Sequence, residues 1–181
     1  MVFHVLMDPH STSMLTFDTP LGRCAVRWTE AGISGVLLPG AAGRSGPRYE
    51  EATDVPPGVC RAIEGMVAVL SGGSPELRDI PLDERGIDEL RRAIYAATRD
   101  IPPGATRSYG EVARAIGHPG GARDVGAALA RNPYPIIVPC HRVVAANGAL
   151  TGFSAPGGLE TKRRMLELEG CPGYGQQVLF G

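Results

Sequence analysis

A cysteine and a histidine stand side by side in the stretch IIVPCHRVV, residues 136–144, directly behind a proline. A thiol beside an imidazole could form a nucleophile and its base, because the thiolate is the reactive form of cysteine. In an extended strand Cys140 and His141 would point to opposite faces and could not cooperate directly. Pro139, however, suits the first position of a helical turn. We expect such a turn, in which backbone amides lower the pKa of Cys140 and His141 acts as base, directly or through a water.

The alternative is a structural thiol, since a free cysteine after an apolar run is more often a small buried hydrophobic residue. A catalytic histidine also needs an orienting partner, and the candidate is Glu169, at the end of a helix predicted over about 158–169. The helix dipole disfavours a carboxylate at that end, so Glu169 could be required by another contact. It could equally be an ordinary solvated glutamate.

Two short helices are predicted upstream of this site. Ser108 and Glu111 have the spacing of a capping box, which predicts a helix over 111–116, and a second helix follows over about 121–131. Two helices joined by a glycine-containing turn are typical of a helix-turn-helix, although many helical hairpins bind nothing. The second helix is rich in glycine and alanine, with Arg123 near its start. These small residues could lie close to DNA or could simply pack against the helix's own neighbours.

The first half of the chain has α/β patterning and no chemical motif. Short strands are predicted within residues 15–38, separated by turn signals at 20–22 and 30–32. A loop or connector is predicted over 39–58, and helices over 59–70 and about 86–99. The last of these helices should present one apolar face, formed by Ile87, Leu90, Ile94 and Tyr95.

Charge is unevenly distributed along the 181 residues. Residues 1–100 contain 10 Lys/Arg and 14 Asp/Glu, whereas residues 101–165 contain 8 and 3. A nucleic-acid partner would therefore contact the second half, because phosphate contacts need local positive charge, unless the asymmetry has no function.

The four cysteines contain no CxxC pair, which predicts free thiols and neither a disulfide framework nor a metal site. The first ten residues, MVFHVLMDPH, lack the features of a signal peptide, and no apolar stretch is long enough for a membrane helix. We expect a cytoplasmic protein that does not associate with membranes.

Residues 101–170 resemble the active domain of the O6-alkylguanine-DNA alkyltransferases, also called methylated-DNA–protein-cysteine methyltransferases. The resemblance is carried by PCHRV preceded by NPYPII, by the GARDVG helix upstream and by GGLETKRRMLELEG downstream. The first half matches weakly, through TPLG. The resemblance implies an α/β fold with a small N-terminal α/β (ribonuclease-H-like) domain over 1–84. A mostly helical C-terminal domain with a helix-turn-helix would occupy 85–181.

The resemblance also implies a reaction and a partner. The protein would act as a monomer on duplex DNA that contains O6-alkylguanine, and also on O4-methylthymine. It would transfer the alkyl group irreversibly to Cys140, once per molecule and without a cofactor. His141 would take the thiol proton through a water, Glu169 would orient the imidazole, and Asn132 would tie the recognition helix to the cysteine turn.

The remaining implied roles concern the flipped nucleotide. Arg123 would fill the vacated space in the base stack, with its helix in the minor groove, and Tyr109 would help to rotate the nucleotide out. Further residues would form the alkyl pocket, read the base edge or lie near the site: Pro135, the Val143 carbonyl, Ser154 and Lys162.

Three departures from the family pattern stand out. Asp124 replaces a usual alanine beside Arg123, which would weaken phosphate contacts unless Asp124 caps the helix or pairs with an arginine. Phe153 replaces the tyrosine of some members, and the SAPGG loop is longer than the shortest versions. Two other functions stay open: a cysteine hydrolase, which would turn over repeatedly, and a non-catalytic binder of alkylated bases, against which Cys140 argues.

Overall fold

The computed structural model describes residues 13–41 and 54–175. Its N-terminal part is a three-stranded antiparallel sheet in the order β1-β2-β3. Tight turns join the strands at the two predicted positions, and each next strand begins with a glycine at positive φ, Gly22 at 124° and Gly32 at 133°. A Cβ on Gly32 would lie 2.5 Å from the Pro81 carbonyl oxygen, so only glycine allows the segment around Pro81 to approach. The strands are β1 (Ser13–Thr19), β2 (Gly22–Thr29) and β3 (Gly32–Leu37).

Helix α1 (Pro57–Leu70) packs against this sheet. It buries Met66, Val69 and Leu70 completely or almost completely. The predicted end of the connector at residue 58 is wrong, because α1 already begins at Pro57. A proline is tolerated in the first helical turn because the N–H that it lacks would have no partner within the helix. Residues 42–53 of that connector, like the N-terminal ten residues, lie outside the described part.

Helix α2 (Glu89–Arg99) begins where the Asp88 side chain accepts a hydrogen bond from the Arg91 backbone N–H. Ile94 and Tyr95 are buried as expected, but Leu90 is 41% exposed. The predicted apolar face is therefore wrong at Leu90, which lies in the first turn of α2, where the buried face has not yet begun.

The C-terminal part places two short helices around the cysteine segment. Helix α3 (Tyr109–Ala115) starts with the predicted capping box, and both of its hydrogen bonds are present between Ser108 and Glu111. Helix α4 (Ala122–Leu129) packs against α3, and both contact α2. Strand β4 (Arg107–Ser108) pairs in parallel with β5 (Val143–Val144), which brings the start of α3 beside the chain that follows the cysteine.

A 3₁₀ turn (Cys140–Arg142) precedes β5, and α5 (Gly158–Leu168) packs against this turn. The predicted turn at Pro139 is therefore confirmed.

The two halves are joined by a shared core. The Val36 N–H donates to the Pro133 carbonyl at 2.8 Å, and the Tyr134 hydroxyl donates to the Asp83 carbonyl. Two residues further on, Ile136 is 1% exposed with φ at 74°, a conformation that a β-branched residue rarely adopts. Within residues 13–41 and 54–175, none of the helices is both long and apolar enough to cross a membrane.

Candidate active site

Cys140 lies on the wall of a cavity of about 520 Å³ between α3, α4 and the loop over 151–154. The cysteine is 9% exposed, at the end of the buried run Ile136–Val138. The other residues that line the cavity are Tyr109, Ala122, Gly126, Leu129, Ala130, Thr151, Gly152, Phe153 and Ser154. A mostly apolar wall with a few hydroxyl and carbonyl groups is typical of a pocket for a flat organic ligand.

His141 and Glu169 form a buried pair directly behind the cysteine. Nε2 of His141 lies 2.7 Å from Oε1 of Glu169, and both side chains are fully buried. Burial opposes the ionisation of Glu169, but its contacts with His141 and Arg142 outweigh that effect and lower its pKa to about 2. The interpretation of Glu169 as a solvated surface residue is therefore wrong.

The ionised carboxylate fixes the tautomer of the imidazole. Because the carboxylate can only accept, the neutral ring must carry its proton on Nε2 and leave the lone pair on Nδ1. Nδ1 is buried and has no hydrogen-bond partner among the described residues. Burial, which outweighs the attraction of Glu169, lowers the pKa of His141, so the ring is neutral and can accept a proton through Nδ1.

The expected low pKa of Cys140 is wrong. Burial raises the pKa of this thiol, and the smaller opposing effects of Asn132, Lys162 and backbone amides do not offset it. A three-residue turn contributes few free amides, so desolvation dominates. At neutral pH the site therefore holds a thiol that needs a base, next to a neutral imidazole.

Asn132 connects the end of α4 with the cysteine segment. Its Nδ2 donates to the Val138 carbonyl at 2.8 Å, and its Oδ1 accepts from the Tyr134 N–H at 2.9 Å. The asparagine thus holds both ends of the loop that carries Ile136.

Lys162 is fully buried and donates to three oxygens at one edge of the cavity. Its Nζ lies 2.7 Å from the Val143 carbonyl, 2.9 Å from the Thr151 carbonyl and 3.4 Å from the Tyr109 hydroxyl. Burial lowers the pKa of Lys162 to about 8. The Val143 carbonyl therefore already accepts one hydrogen bond, which leaves one lone pair for a ligand.

Tyr109 and Ser154 present their hydroxyl groups at the cavity and bond to nearby backbone. The Tyr109 hydroxyl donates to the Thr151 carbonyl at 3.0 Å, and the Ser154 hydroxyl donates to the Ala130 carbonyl at 2.9 Å. A Cβ on Gly126 would lie 3.9 Å from the Tyr109 ring, so α4 passes close beside it. Pro135 is not among the residues that line this cavity.

Arg123 and Asp124 are both exposed in the first turn of α4. Asp124 does not pair with an arginine in the part of the chain that the structure describes. Its carboxylate lies 2.8 Å from Nε2 of His118, whose ring covers Gly121 in the turn between α3 and α4.

Arg142 is the residue that sequence reasoning missed. Its guanidinium donates to both oxygens of Glu169, from Nε at 2.9 Å and from Nη2 at 2.8 Å. Its Nη1 donates to the Ile101 carbonyl at 2.5 Å. The available signal was the arginine directly after Cys-His in a buried run, since a buried arginine requires an acidic partner.

In the described ranges, no group of three His, Cys, Asp or Glu side chains could hold a metal ion. A buried thiol, a neutral imidazole and an ionised carboxylate beside a cavity are the groups expected around a nucleophilic cysteine, and comparison with known proteins identifies the family.

Residues 89–171 match the family model described as the DNA-binding domain of 6-O-methylguanine DNA methyltransferase. The chain is 48% identical over 117 residues to the methylated-DNA–protein-cysteine methyltransferase of Mycolicibacterium paratuberculosis, which covers 65% of this chain and 68% of that protein. It is 31% identical over 157 residues to the protein of the same name from Methanothermobacter thermautotrophicus, covering 87% of this chain and 85% of that protein.

Among solved structures, Mycobacterium tuberculosis OGT in complex with DNA is similar with a TM-score of 0.71 and 34% identity, covering 87% of this chain and 93% of that one. The chain belongs to the methylated-DNA–protein-cysteine methyltransferase family.

Proposed function

We propose that this protein repairs DNA by direct reversal, moving the alkyl group of O6-alkylguanine in duplex DNA to Sγ of its own Cys140. The observation that carries the assignment to this cysteine is its place on the cavity wall with the His141–Glu169 pair behind it. Burial raises the pKa of Cys24 and Cys171 as well, and among the described residues neither interacts with a histidine.

The proposed transfer is one displacement at the alkyl carbon. The thiol proton passes to Nδ1 of His141, directly or through a water, the S–C bond forms, and the bond between carbon and the guanine O6 breaks. The departing base takes up the proton that the imidazolium of His141 releases, directly or through solvent water, and becomes guanine, so atoms and charge balance. The reaction needs no resident metal or organic cofactor, and the stable thioether leaves the protein spent after one turnover.

The substrate must leave the base stack, because a nearly buried thiol on the wall of a pocket cannot reach an atom inside a duplex. We assign extrusion to Arg123, which fills the gap, and to Tyr109, which guides the nucleotide. Tyr109, Ser154 and the free lone pair of the Val143 carbonyl then bind the base edge, next to Lys162. Pro135 is retained as a neighbour of the alkyl group in the complex. O4-methylthymine presents a similar alkylated oxygen and is proposed as a second substrate.

Helices α3 and α4 are proposed as a helix-turn-helix that lies in the minor groove. The small side chains of α4 and the exposed Arg123 support close approach to the sugar-phosphate backbone. We further propose a division into a ribonuclease-H-like domain over 1–84 and the active domain over 85–181, and a monomeric protein. Its cytoplasmic location stays a prediction.

The test is mass spectrometry of the intact protein and its peptides after mixing with a duplex that contains one O6-methylguanine. The expected result is a gain of one methyl group on the peptide with Cys140 and on no other, followed by a stop at one equivalent. Cys140→Ala should bind the duplex and gain nothing. Repeated turnover with return to the unmodified mass would indicate a hydrolase. Binding by the wild type without a mass change would indicate a lesion binder. Either result would overturn the proposal.

A further inference from the structure

The carboxylate of Glu169 is shared between two partners. Oε1 contacts both Nε2 of His141, at 2.7 Å, and Nη2 of Arg142, at 2.8 Å, while Oε2 accepts from Nε of Arg142 at 2.9 Å. The side chain of Arg142 is 5% exposed and that of Glu169 is fully buried. A two-point contact of this kind fixes the plane of the carboxylate as well as its charge.

The remaining guanidinium nitrogen of Arg142, Nη1, bonds to a group outside the Arg142–Glu169 ion pair. Nη1 donates to the carbonyl of Ile101, the second residue after the end of helix α2 and itself fully buried. Arg142 is therefore held by the backbone on one side and holds Glu169 on the other. The imidazole is positioned at the end of this chain of contacts.

Removal of Arg142 would change which protons the pair binds. Without Arg142 the buried carboxylate of Glu169 would face only the imidazole of His141. This pair would then favour binding one additional proton, because the protonated pair contains no isolated buried negative charge. The additional proton can reside on the imidazole, or the carboxyl can be neutral and donate to Nε2. In both forms Nδ1 carries a hydrogen and cannot accept the proton of the thiol.

The charged and titratable groups around His141 act in both directions. Glu169 favours the imidazolium form, and the positive charges of Arg142 and Lys162 oppose it together with burial. The thiol of Cys140 belongs to the preceding residue and interacts electrostatically with Lys162 and with the hydroxyl of Tyr95, and the thiol of Cys171 interacts with Glu169 and Arg142. Arg142 is the only one of these groups that contacts the carboxylate and also repels a proton from the ring.

We propose that Arg142 is a positioning residue for alkyl transfer. It fixes Glu169 as an anion in one orientation, and thereby keeps Nδ1 of His141 unprotonated and directed away from the carboxylate. The proposal rests on the proposed function of Cys140, and it adds Arg142 to the residues that determine at which pH the protein reacts.

The test is the single-turnover rate of methyl transfer from an O6-methylguanine duplex between pH 5.5 and 9, measured by mass for the wild type, Arg142→Gln and Arg142→Lys. With Arg142→Gln the midpoint of the rate against pH should move upward. Once the midpoint lies above pH 7, the rate at pH 7 falls about tenfold for each further pH unit by which the midpoint rises. The rate recovers at high pH. Arg142→Lys keeps the charge but loses the two-point contact, so its midpoint should stay near that of the wild type while its maximum rate falls severalfold.

Circular dichroism and duplex binding define the folded fraction to which each rate is normalised. A normalised Arg142→Gln profile with the midpoint and maximum of the wild type would overturn the proposal, since a purely structural arginine changes only the folded fraction. If Arg142→Gln does not fold, Arg142→Lys decides, and a wild-type rate in that variant would equally overturn it. A wild type that gains no methyl group at any pH refutes the proposed function instead, so the two failures are distinguishable.

Discussion

The substitution Glu169→Gln tests the buried triad of His141, Glu169 and Arg142 most directly, and its cost can be worked from the geometry. The amide removes the negative charge that neutralises Arg142, and its NH₂ group faces a guanidinium N–H with which it cannot bond. An uncompensated buried charge of this type costs about 3–5 kcal/mol. That is a large fraction of the roughly 5–15 kcal/mol that stabilises an ordinary domain.

The pKa of Glu169 gives a second route to the same number. It lies at about 2 in the folded protein against an ordinary value of 4.5, a difference equivalent to about 3 kcal/mol of folding free energy at neutral pH. A lowered carboxyl pKa stabilises the fold above its unfolded value, so this contribution should be lost as pH falls from about 4.5 towards 2. Glu169→Gln should therefore unfold at lower urea concentration than the wild type at pH 7, and its stability should depend less on acid.

The assay combines urea unfolding with the single-turnover rate of methyl transfer at the same pH. Glu160→Gln is the matched control, because Glu160 lies in the first turn of α5, the helix that ends just before Glu169, is 71% exposed and forms an ion pair with Arg163. The control should change stability by less than about 1 kcal/mol. If Glu169→Gln matched the control in both stability and rate, the triad would have no energetic or catalytic importance.

Three further predictions concern DNA binding. Duplex affinity should fall steeply with salt and depend weakly on sequence, because the exposed arginines of α3 and α4 would contact phosphates; a salt-independent dissociation constant in a titration series would contradict this. Arg123→Ala should slow repair of a duplex far more than reaction with the free base O6-benzylguanine, since extrusion costs a few kcal/mol only in the duplex; equal losses on both substrates would refute its role. Asp124→Ala should tighten duplex binding about twofold to fivefold, because it removes a carboxylate beside Arg123, and His118→Ala should weaken it by a similar factor, because it removes the hydrogen-bond partner of that carboxylate; unchanged affinity of both variants in a fluorescence-anisotropy titration would place this pair away from the DNA.

Local signals in the sequence predicted much of the fold. The Ser108–Glu111 capping box, the turns that precede Gly22 and Gly32, and the proline before Cys140 each act over a few residues, and the structure contains all of them. Glu169 became a candidate for a similar reason, because a carboxylate at the end of a helix is locally unfavourable. That signal alone left a solvated surface glutamate equally open, and its role came from the family resemblance.

The missed features depend on contacts between distant segments. Arg142 bonds to Ile101 and Glu169, which are 41 and 27 residues away in sequence, and no local pattern specifies those partners. The raised pKa of Cys140 likewise comes from burial by surrounding elements, which a sequence motif does not measure. The exposure of Leu90 shows the same limitation, because helical periodicity defines a face without defining how much of it is covered.

The positive φ of Ile136 affects which segment of the protein unfolds first. A β-branched residue at φ 74° costs of the order of 1–3 kcal/mol, and only its burial in the core offsets that cost. The loop between Asn132 and Cys140 thus stores free energy that is released as soon as the surrounding packing loosens. This segment should exchange its amide hydrogens through local opening below the free energy of global unfolding. Cys140, the proposed nucleophile, lies four residues after this strained position. Its location therefore depends on the core packing that keeps Ile136 in its unfavourable conformation.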